Sequence, residues 1–263
     1  MIPRNFIIEW TGVVPWAEPR QVEQDLIITS ALLRLYEHPI LKETLAFRGG
    51  TALNKLFFNP AFRYSEDIDL VQITSQPIGA TIDLIHEIMT PWLGKPKRNA
   101  SGGLVTLSYR TTSDDGFPIK VKLEINTREH FSVLGFQKNQ FSSNSSWAPG
   151  TVMITTYAIE ELLGTKMRAL YQRRKGRDLY DLYEAITTLP NVDTSLVVYC
   201  FLEYMGRSGQ HVSKEDFIAN VKEKLEHKDF QADIIPLLPQ QKKSFDSRVA
   251  YEYLRENLFA KLT

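Results

Sequence analysis

The stretch FRGGTALNKLFFNPAFRYSEDIDLV, residues 47–71, decides the fold of this chain. A short apolar run, Leu45 to Arg48, ends in two glycines, and residues 51–58 then have helical spacing before an Asn-Pro stop. The β-branched run at residues 68–73 suits a buried strand. The stretch therefore predicts the order strand, glycine turn, helix, strand.

Two features of this stretch indicate chemistry. Gly49 and Gly50 leave no Cβ between the backbone amides and a phosphate, and the following helix points its positive end at the same place. This predicts a triphosphate cradle. Asp67 and Asp69 have the i, i+2 spacing that aims both carboxylates at one face of a strand, where they could hold Mg²⁺ or Mn²⁺. The alternatives are a plain tight turn and two solvated charges at a strand edge.

Glu124 is the candidate for a third metal ligand, because a two-metal site wants another carboxylate besides the aspartate pair. Alternation over residues 119–125 puts Lys120, Lys122 and Glu124 on one face of a strand. Glu124 would meet the same metal if its strand lies beside the strand of Asp67. The alternative is that Glu124 pairs with Lys122 or another surface lysine.

Composition excludes several classes of function. No apolar run approaches the roughly 20 residues that cross a bilayer, and the start lacks the pattern of a secretory signal, so we expect a cytoplasmic protein with no membrane partner. The single Cys200 and the scattered five histidines give no disulfide and no zinc ligands, which leaves carboxylates to hold any metal. Because the formal net charge is zero, a nucleic acid would need a local basic patch.

The same periodicities predict the rest of the chain. The predicted class is mixed α/β (α+β), with an α/β half over residues 1–150 and a mainly helical half over residues 151–263. Helices are predicted at residues 21–37, 81–93, 157–174, 178–188, 194–205, 214–226 and 244–259. Strands are predicted at residues 103–110, 118–126 and 152–155, and the segment SSNSSWAPG at 142–150 is interpreted as a polar connection.

A basic run provides the local patch that a polyanion needs. Between Lys166 and Arg177, six of twelve residues are Lys or Arg and none is acidic. The candidates for RNA contact in this run are Arg168, Arg173, Arg174, Lys175 and Arg177. The alternative is a solvated helix face, which is the usual role of such runs.

Three motifs together resemble the AbiEii family of nucleotidyltransferase toxins, to which the MenT toxins are related. They are the GGTAL…K…RxSxDIDL pattern, the KLEI strand, and KMRALYQRRKGRDLYDLYE at residues 166–184. The resemblance implies a polymerase β-like nucleotidyltransferase core with a mixed sheet, followed by a helical domain that completes the active site. It also implies an NTP substrate, a metal ion, transfer to the 3′ acceptor end of tRNA that blocks translation, and a cognate antitoxin, often a DNA-binding regulator.

The resemblance also draws attention to Lys166 and Asp178, which match the lysine and aspartate of the family's later motif. Lys166 shares a helix face with leucines, where an ammonium is unwelcome unless it points into a cleft, so it could meet the triphosphate as a point charge. Asp178 opens a helix and could orient a base, a metal-bound water or Lys166. An ordinary helix cap is the alternative for Asp178, and a lysine that extends past its apolar stem is the alternative for Lys166.

Four more residues of the quoted stretch are candidate nucleotide contacts. Many members of the superfamily have Gly-Ser in the cradle where this chain has Gly-Gly, and Thr51 is the candidate for the missing hydroxyl. Ser65 could touch the γ-phosphate or could serve as a turn hydroxyl. Lys55 and Arg63 are either phosphate contacts or surface charges.

The leading hypothesis is thus an NTP- and metal-dependent nucleotidyltransferase toxin that acts on tRNA. A second hypothesis keeps the fold and the reaction but changes the acceptor to a protein hydroxyl or a small molecule. A third is a non-catalytic module that binds a nucleotide or its antitoxin. The retained carboxylate pair, Lys166 and Asp178 argue against the third hypothesis.

Overall fold

The computed structural model describes residues 2–239, 241–242 and 244–263. Its helices are α1 (Arg4–Thr11), α2 (Pro19–Glu37), α3 (Leu41–Thr44), α4 (Gly49–Phe57), α5 (Gly79–Leu93), α6 (Ile159–Gln172), α7 (Gly176–Thr188), α8 (Thr194–Arg207), α9 (Lys214–Leu225), α10 (Lys228–Ala232) and α11 (Ser247–Asn257). Its strands are β1 (Leu45–Arg48), β2 (Asp67–Gln72), β3 (Lys97–Ser101), β4 (Leu104–Thr112), β5 (Pro118–Asn126), β6 (Phe136–Asn144) and β7 (Pro149–Tyr157). None of the helices described here is long and apolar enough to cross a membrane.

The strands of the described residues form one mixed sheet in the order β3-β4-β5-β2-β1-β7-β6. Strand β1 runs antiparallel to β2 and parallel to β7, and β2 runs parallel to β5. This mixed α/β architecture confirms the predicted fold class. The glycine turn therefore leads from a central strand of the sheet directly into α4.

Alternation sets which face of the sheet each side chain occupies. In β5, Val121, Leu123 and Ile125 are fully buried, whereas Lys122 and Glu124 are half-buried on the opposite face. A register shift by one residue would bury the charged side chains and expose the apolar ones, so burial of the apolar face fixes which way each side chain points. The predicted strand at residues 118–126 is confirmed together with its facing.

The chain divides into two compact units. The first consists of Met1–Phe131 with Phe136–Tyr157 and contains the sheet, and the second consists of Ser132–Gly135 with Ala158–Thr263 and is helical. Strand β7 thus runs through residue 150, where the sequence suggested a boundary, and ends the first unit at Tyr157.

The short segment Ser132–Gly135 belongs to the second unit because of one buried carboxylate. Glu161 on α6 is fully buried and accepts hydrogen bonds from Ser132 Oγ at 2.6 Å and from the Val133 and Leu134 amides at 2.8 and 3.0 Å. The Tyr204 hydroxyl donates to it as well, at 2.8 Å. Several donors on one carboxylate satisfy a charge that would otherwise be costly to bury.

Two edge strands escaped the sequence prediction. The segment interpreted as a polar connection at residues 142–150 instead contains the end of β6 and the start of β7. Every residue of β3 is exposed, and most of β6 is exposed as well. An edge strand needs no apolar face when both of its sides are solvated, so it lacks the alternation by which strands are recognised.

A buried aspartate joins α1, α2 and α4 within the first unit. Asp25 is only 2% exposed and accepts hydrogen bonds from the indole groups of Trp10 and Trp16, at 2.9 and 3.1 Å. The Lys55 ammonium lies 2.6 Å from the same carboxylate and also donates to Thr29 Oγ1 at 3.0 Å. The ion pair is therefore buried, and both of its members make further hydrogen bonds.

Replacement of Asp25 by Ala should strongly destabilise the first unit, because the Lys55 ammonium would be left buried without its partner. Removal of one member of a buried pair costs about 3–5 kcal/mol. The matched control is Glu43→Ala, since Glu43 pairs with Lys138 at 2.7 Å while both side chains are half exposed. An exposed pair contributes less than about 1 kcal/mol. Urea unfolding followed by circular dichroism measures both, and equal losses would contradict the buried role of Asp25.

Candidate active site

The turn between β1 and α4 depends on a glycine at position 49. Gly49 has φ +81°, and a Cβ built on it would lie 2.0 Å from Asp69 Oδ2. A side chain there would be strained by the backbone angle and would also collide with the carboxylate. The Asp69 carboxylate therefore lies directly against the start of α4, where the positive end of the helix favours a negative charge.

Gly50 allows an equally close approach by an arginine. A Cβ on Gly50 would lie 2.3 Å from Arg63 Nη2 and 3.3 Å from Ser65 Oγ. Arg63 is only 2% exposed and donates from Nη1 to the Tyr64 carbonyl at 2.8 Å. Arg63 is consequently a buried group packed under the helix start rather than the surface charge that one sequence interpretation proposed.

Thr51 connects α4 to the start of β2. Its side chain is buried, and its hydroxyl lies 2.5 Å from the Asp67 carbonyl oxygen and 2.8 Å from Ser65 Oγ. Arg48, the residue before the helix, makes no side-chain capping bond. Because the first amides of a helix lack intrahelical partners, a helix start without an N-cap side chain can bind an anion through its backbone. The Thr51 hydroxyl contacts Ser65 and the start of β2, and its contact with a nucleotide stays a prediction.

The carboxylates lie on one face of two neighbouring parallel strands. In the register of β2 and β5, Asp69 is opposite Glu124 and Asp67 is opposite Lys122. The sequence left open whether these strands are neighbours, and the sheet brings them together. The Lys122 ammonium lies 3.0 Å from Asp67 Oδ2 and 3.7 Å from Glu124 Oε1. Lys122 therefore bridges Asp67 and Glu124, two of the three candidate ligands. Its contact with Glu124 is the pairing that was the alternative to metal ligation for Glu124.

The charge of Lys122 is stabilised by these neighbours. Burial alone would lower its pKa, but the hydrogen bond to Asp67 and the charges of Asp67 and Glu124 outweigh burial and raise the pKa. The site thus favours a cation between Asp67 and Glu124.

A divalent metal fits the donor chemistry of this face. Among the described residues, no group of three or more His, Cys, Asp or Glu side chains is already arranged as a metal cluster. The ammonium of Lys122 instead occupies the space between the carboxylates, as a cation would. Oxygen donors from Asp67, Asp69 and Glu124 are the ligand type that Mg²⁺ and Mn²⁺ prefer. Metal ligation by these residues stays a prediction.

The positive charge of Lys55 is not available to a nucleotide. Its side chain is 12% exposed and its ammonium is held by Asp25. We therefore leave Lys55 out of the nucleotide site, because its charge is already neutralised in the helix packing.

In the second unit, Lys166 and Asp178 belong to a buried charge cluster. The Lys166 ammonium lies 3.3 Å from Asp178 Oδ1 and 2.7 Å from Asp181 Oδ2, and both aspartates are fully buried. Arg173 donates two hydrogen bonds to Asp178, at 2.7 and 2.9 Å. Asp181 was missed by the sequence analysis, although its position three residues after Asp178 on a helix places both on one side of α7.

Most of the predicted basic run is neutralised by carboxylates. Besides Lys166 and Arg173, Arg177 makes a two-pronged pair with Asp233, with both distances 2.9 Å, and Lys175 lies 3.4 Å from the same carboxylate. Burial would raise the pKa of Asp233, but the hydrogen bonds from Arg177 outweigh burial and lower it to about 2.

The other two arginines of the run, Arg168 and Arg174, lie in different surroundings. Arg168 packs its guanidinium over the Tyr204 ring, 4.7 Å from the centroid. Arg174 is exposed, and no ion pair links it to another described residue.

Comparison with known proteins identifies the family. The profile of the family described as "Nucleotidyl transferase AbiEii toxin, Type IV TA system" matches residues 30–251. A search of curated protein sequences gives no match.

Two solved structures have the same fold. MenT4, a nucleotidyltransferase toxin from Mycobacterium tuberculosis H37Rv, is 16% identical with a TM-score of 0.67 over 99% of this chain and 89% of that chain. JHP933 from Helicobacter pylori is 13% identical with a TM-score of 0.53 over 93% of this chain and 95% of that chain. The family profile covers the glycine turn, the carboxylates of β2 and β5, and the charge cluster of the second unit. The chain belongs to the AbiEii family and is a nucleotidyltransferase toxin of a type IV toxin–antitoxin system.

Proposed function

We propose that this toxin transfers a nucleotidyl group from an NTP to the 3′ hydroxyl at the acceptor end of tRNA, and that the modified tRNA no longer supports translation. The observation that supports this most directly is the placing of Asp67, Asp69 and Glu124 on adjoining strands beside the uncapped start of α4. A triphosphate and oxygen-bound cations need these two kinds of group close together. The cognate antitoxin, a DNA-binding regulator in our proposal, would be the second partner.

The nucleotide would bind at the start of α4. The backbone amides after Gly49 would donate hydrogen bonds to phosphate oxygens, and the Ser65 hydroxyl, which lies beside Gly50, would turn away from Thr51 to donate to the γ-phosphate. Arg63 lies buried beneath the same turn and adds positive charge without occupying the phosphate position. The Thr51 hydroxyl would hold the cradle in shape through the Asp67 carbonyl.

In the reaction, the 3′ hydroxyl oxygen attacks the α-phosphorus, the bond to the β-phosphate oxygen breaks, and pyrophosphate leaves with the electron pair. Divalent metal ions held by Asp67, Asp69 and Glu124 would make the hydroxyl more acidic and neutralise charge on the transferred group. Asp69 is fixed against the helix start by Gly49, and Glu124 lies opposite it in register. The hydroxyl proton passes to solvent. When a metal enters, Lys122 would release Asp67 and Glu124.

Lys166 and Asp178 enter this proposal through the family resemblance. Within the second unit, the ammonium of Lys166 is paired with two buried aspartates, so it would have to give up part of this pairing to bind a phosphate. We propose that Lys166 interacts with the triphosphate and that Asp178, which Arg173 and Lys166 both contact, positions it.

The experiment that tests the function is an incubation of the purified protein with total RNA, Mg²⁺ and each of the four α-labelled NTPs in turn. We expect label in the tRNA band, and its loss when the 3′ hydroxyl has been oxidised by periodate. Label in a protein with none in RNA would make the acceptor a side-chain hydroxyl. Absence of label in RNA, protein and small molecules would favour a non-catalytic module.

Replacement of Asp67 or Asp69 by Asn should abolish transfer while the protein still folds, because an amide is a much weaker metal ligand than a carboxylate. The matched control is Glu66→Gln, since Glu66 is an exposed carboxylate one residue away. Initial rates of tRNA labelling measure the effect. Activity of either aspartate variant within about tenfold of wild type, or roughly 1.4 kcal/mol of barrier, would exclude the two-metal proposal.

Gly49→Ala should lower the transfer rate by about 100-fold, which is a typical cost of displacing a catalytic group by an ångström. The added methyl group would collide with the Asp69 carboxylate. Gly116→Ala is the matched control, because Gly116 has φ +85° but no atom within 4 Å of the built Cβ. Both variants therefore bear the backbone strain, and only one moves the carboxylate. Equal transfer rates in the two variants would show that the contact between Gly49 and Asp69 is catalytically irrelevant.

A further inference from the structure

The sheet face that carries the candidate catalytic carboxylates continues across β5, β4 and β3. Register places Asp67, Lys122, Ser108 and Lys97 in one row across the four strands. The next row contains Asp69, Glu124, Thr106 and Asn99. Residues opposite one another in a sheet lie on the same face. We call this surface, completed by Arg110 and Lys120, the open sheet face.

The open sheet face is exposed where it is farthest from β2. Lys97, Asn99, Arg110 and Lys120 are exposed, and Thr106 and Ser108 are half-buried. Their sequence neighbours in β4 and β5 point the other way and are buried, as in Leu107 and Val121. The face is therefore solvated, with its apolar counterpart packed into the core of the first unit.

Positive charge dominates this surface beyond the carboxylates. Lys97 and Arg110 lie on β3 and β4, two strands that contain no Asp or Glu, and Arg110 is opposite Lys120 in register. No hydrogen bond or ion pair joins the side chains of Lys97, Arg110 and Lys120 to any other described residue. In the basic run of the second unit, by contrast, Lys166, Arg173, Lys175 and Arg177 are all paired with aspartates. An unpaired cation is free to bind a phosphate, whereas a paired cation must first give up its partner.

The distances suit one nucleic-acid strand that ends at the carboxylates. Neighbouring strands lie about 4.8 Å apart, so the three gaps from β2 to β3 span about 14 Å. Ser108, Thr106 and Asn99 fill the space between the carboxylates and Lys97 with hydroxyl and amide groups. Such groups hydrogen-bond to phosphate and ribose oxygens without reading sequence.

We propose that the open sheet face binds the acceptor RNA strand, with phosphates on Lys97, Arg110 and Lys120 and the 3′ end at Asp69 and Glu124. This assignment rests on the proposed transfer to RNA and replaces the basic run of the second unit as the main acceptor surface. Each phosphate neutralised on a single strand contributes about 0.7 to the slope of log affinity against log salt. Three contacts should therefore account for a slope of about 2.

The test is the salt dependence of binding of 5′-fluorescein-labelled bulk tRNA, followed by fluorescence anisotropy without NTP. The triple variant Lys97→Ala, Arg110→Ala, Lys120→Ala should lose about 2 from the wild-type slope. Among single variants, Lys97→Ala should weaken binding, and Arg98→Ala is its matched control. Arg98 is the adjacent exposed cation, but it lies opposite the buried Leu107 and so on the other face. Thermal midpoints of all variants check that the exposed substitutions leave folding intact.

Two results would overturn the inference. A wild-type slope in the triple variant, with a flattened slope after neutralisation of Arg173, Arg174 and Lys175, would place the acceptor on the basic run. Equal losses of tRNA affinity in Lys97→Ala and Arg98→Ala would show that the position of the cation does not matter and that the open sheet face is not a specific RNA surface. In both cases wild-type labelling of tRNA would leave the proposed function standing. A wild-type protein that neither binds nor labels tRNA would refute the proposed function and the surface together.

Discussion

A glycine in van der Waals contact with a carboxylate is the constraint on which the site depends. Gly49 lets β1 turn into α4 while Asp69 on the neighbouring strand lies against the turn. The antiparallel register, in which Arg48 is opposite Asp69, brings the two strands to the same point. The φ angle of Gly49 therefore sets where the start of α4 lies relative to the Asp69 carboxylate. Glu124 then follows from the parallel pairing of β2 with β5.

The strongest periodic elements and the chemistry of the glycine turn could be predicted from the sequence. What could not be predicted is pairing between distant residues. The proximity of Glu124 to Asp69 depends on strands more than fifty residues apart, and no local pattern encodes it. The same holds for Lys55, whose partner Asp25 lies on another helix. Local propensity predicts elements and faces, whereas tertiary packing decides which charges meet.

The basic run shows why a charge pattern alone is a weak sign of a nucleic-acid surface. No acidic residue occurs within the run, yet Asp178 and Asp181 follow it directly and Asp233 comes from far along the chain. Arginine forms such pairs well because its planar guanidinium matches both carboxylate oxygens. The chain has equal numbers of acidic and basic residues, so the local arrangement of pairs determines where positive charge remains available. In the first unit it remains on the open sheet face.

The four-residue segment that Glu161 holds makes each of the two units discontinuous in sequence. The chain leaves the first unit after Phe131, contributes Ser132–Gly135 to the second, and returns for β6 and β7. A gene cut after Tyr157 would therefore yield a helical fragment in which Glu161 has lost three of its four donors. A buried carboxylate that has lost most of its donors is costly, so that fragment would be much less stable on its own. The helical half therefore needs the segment that precedes β6, and an exchange of this half between toxins would have to keep the two pieces of the second unit matched.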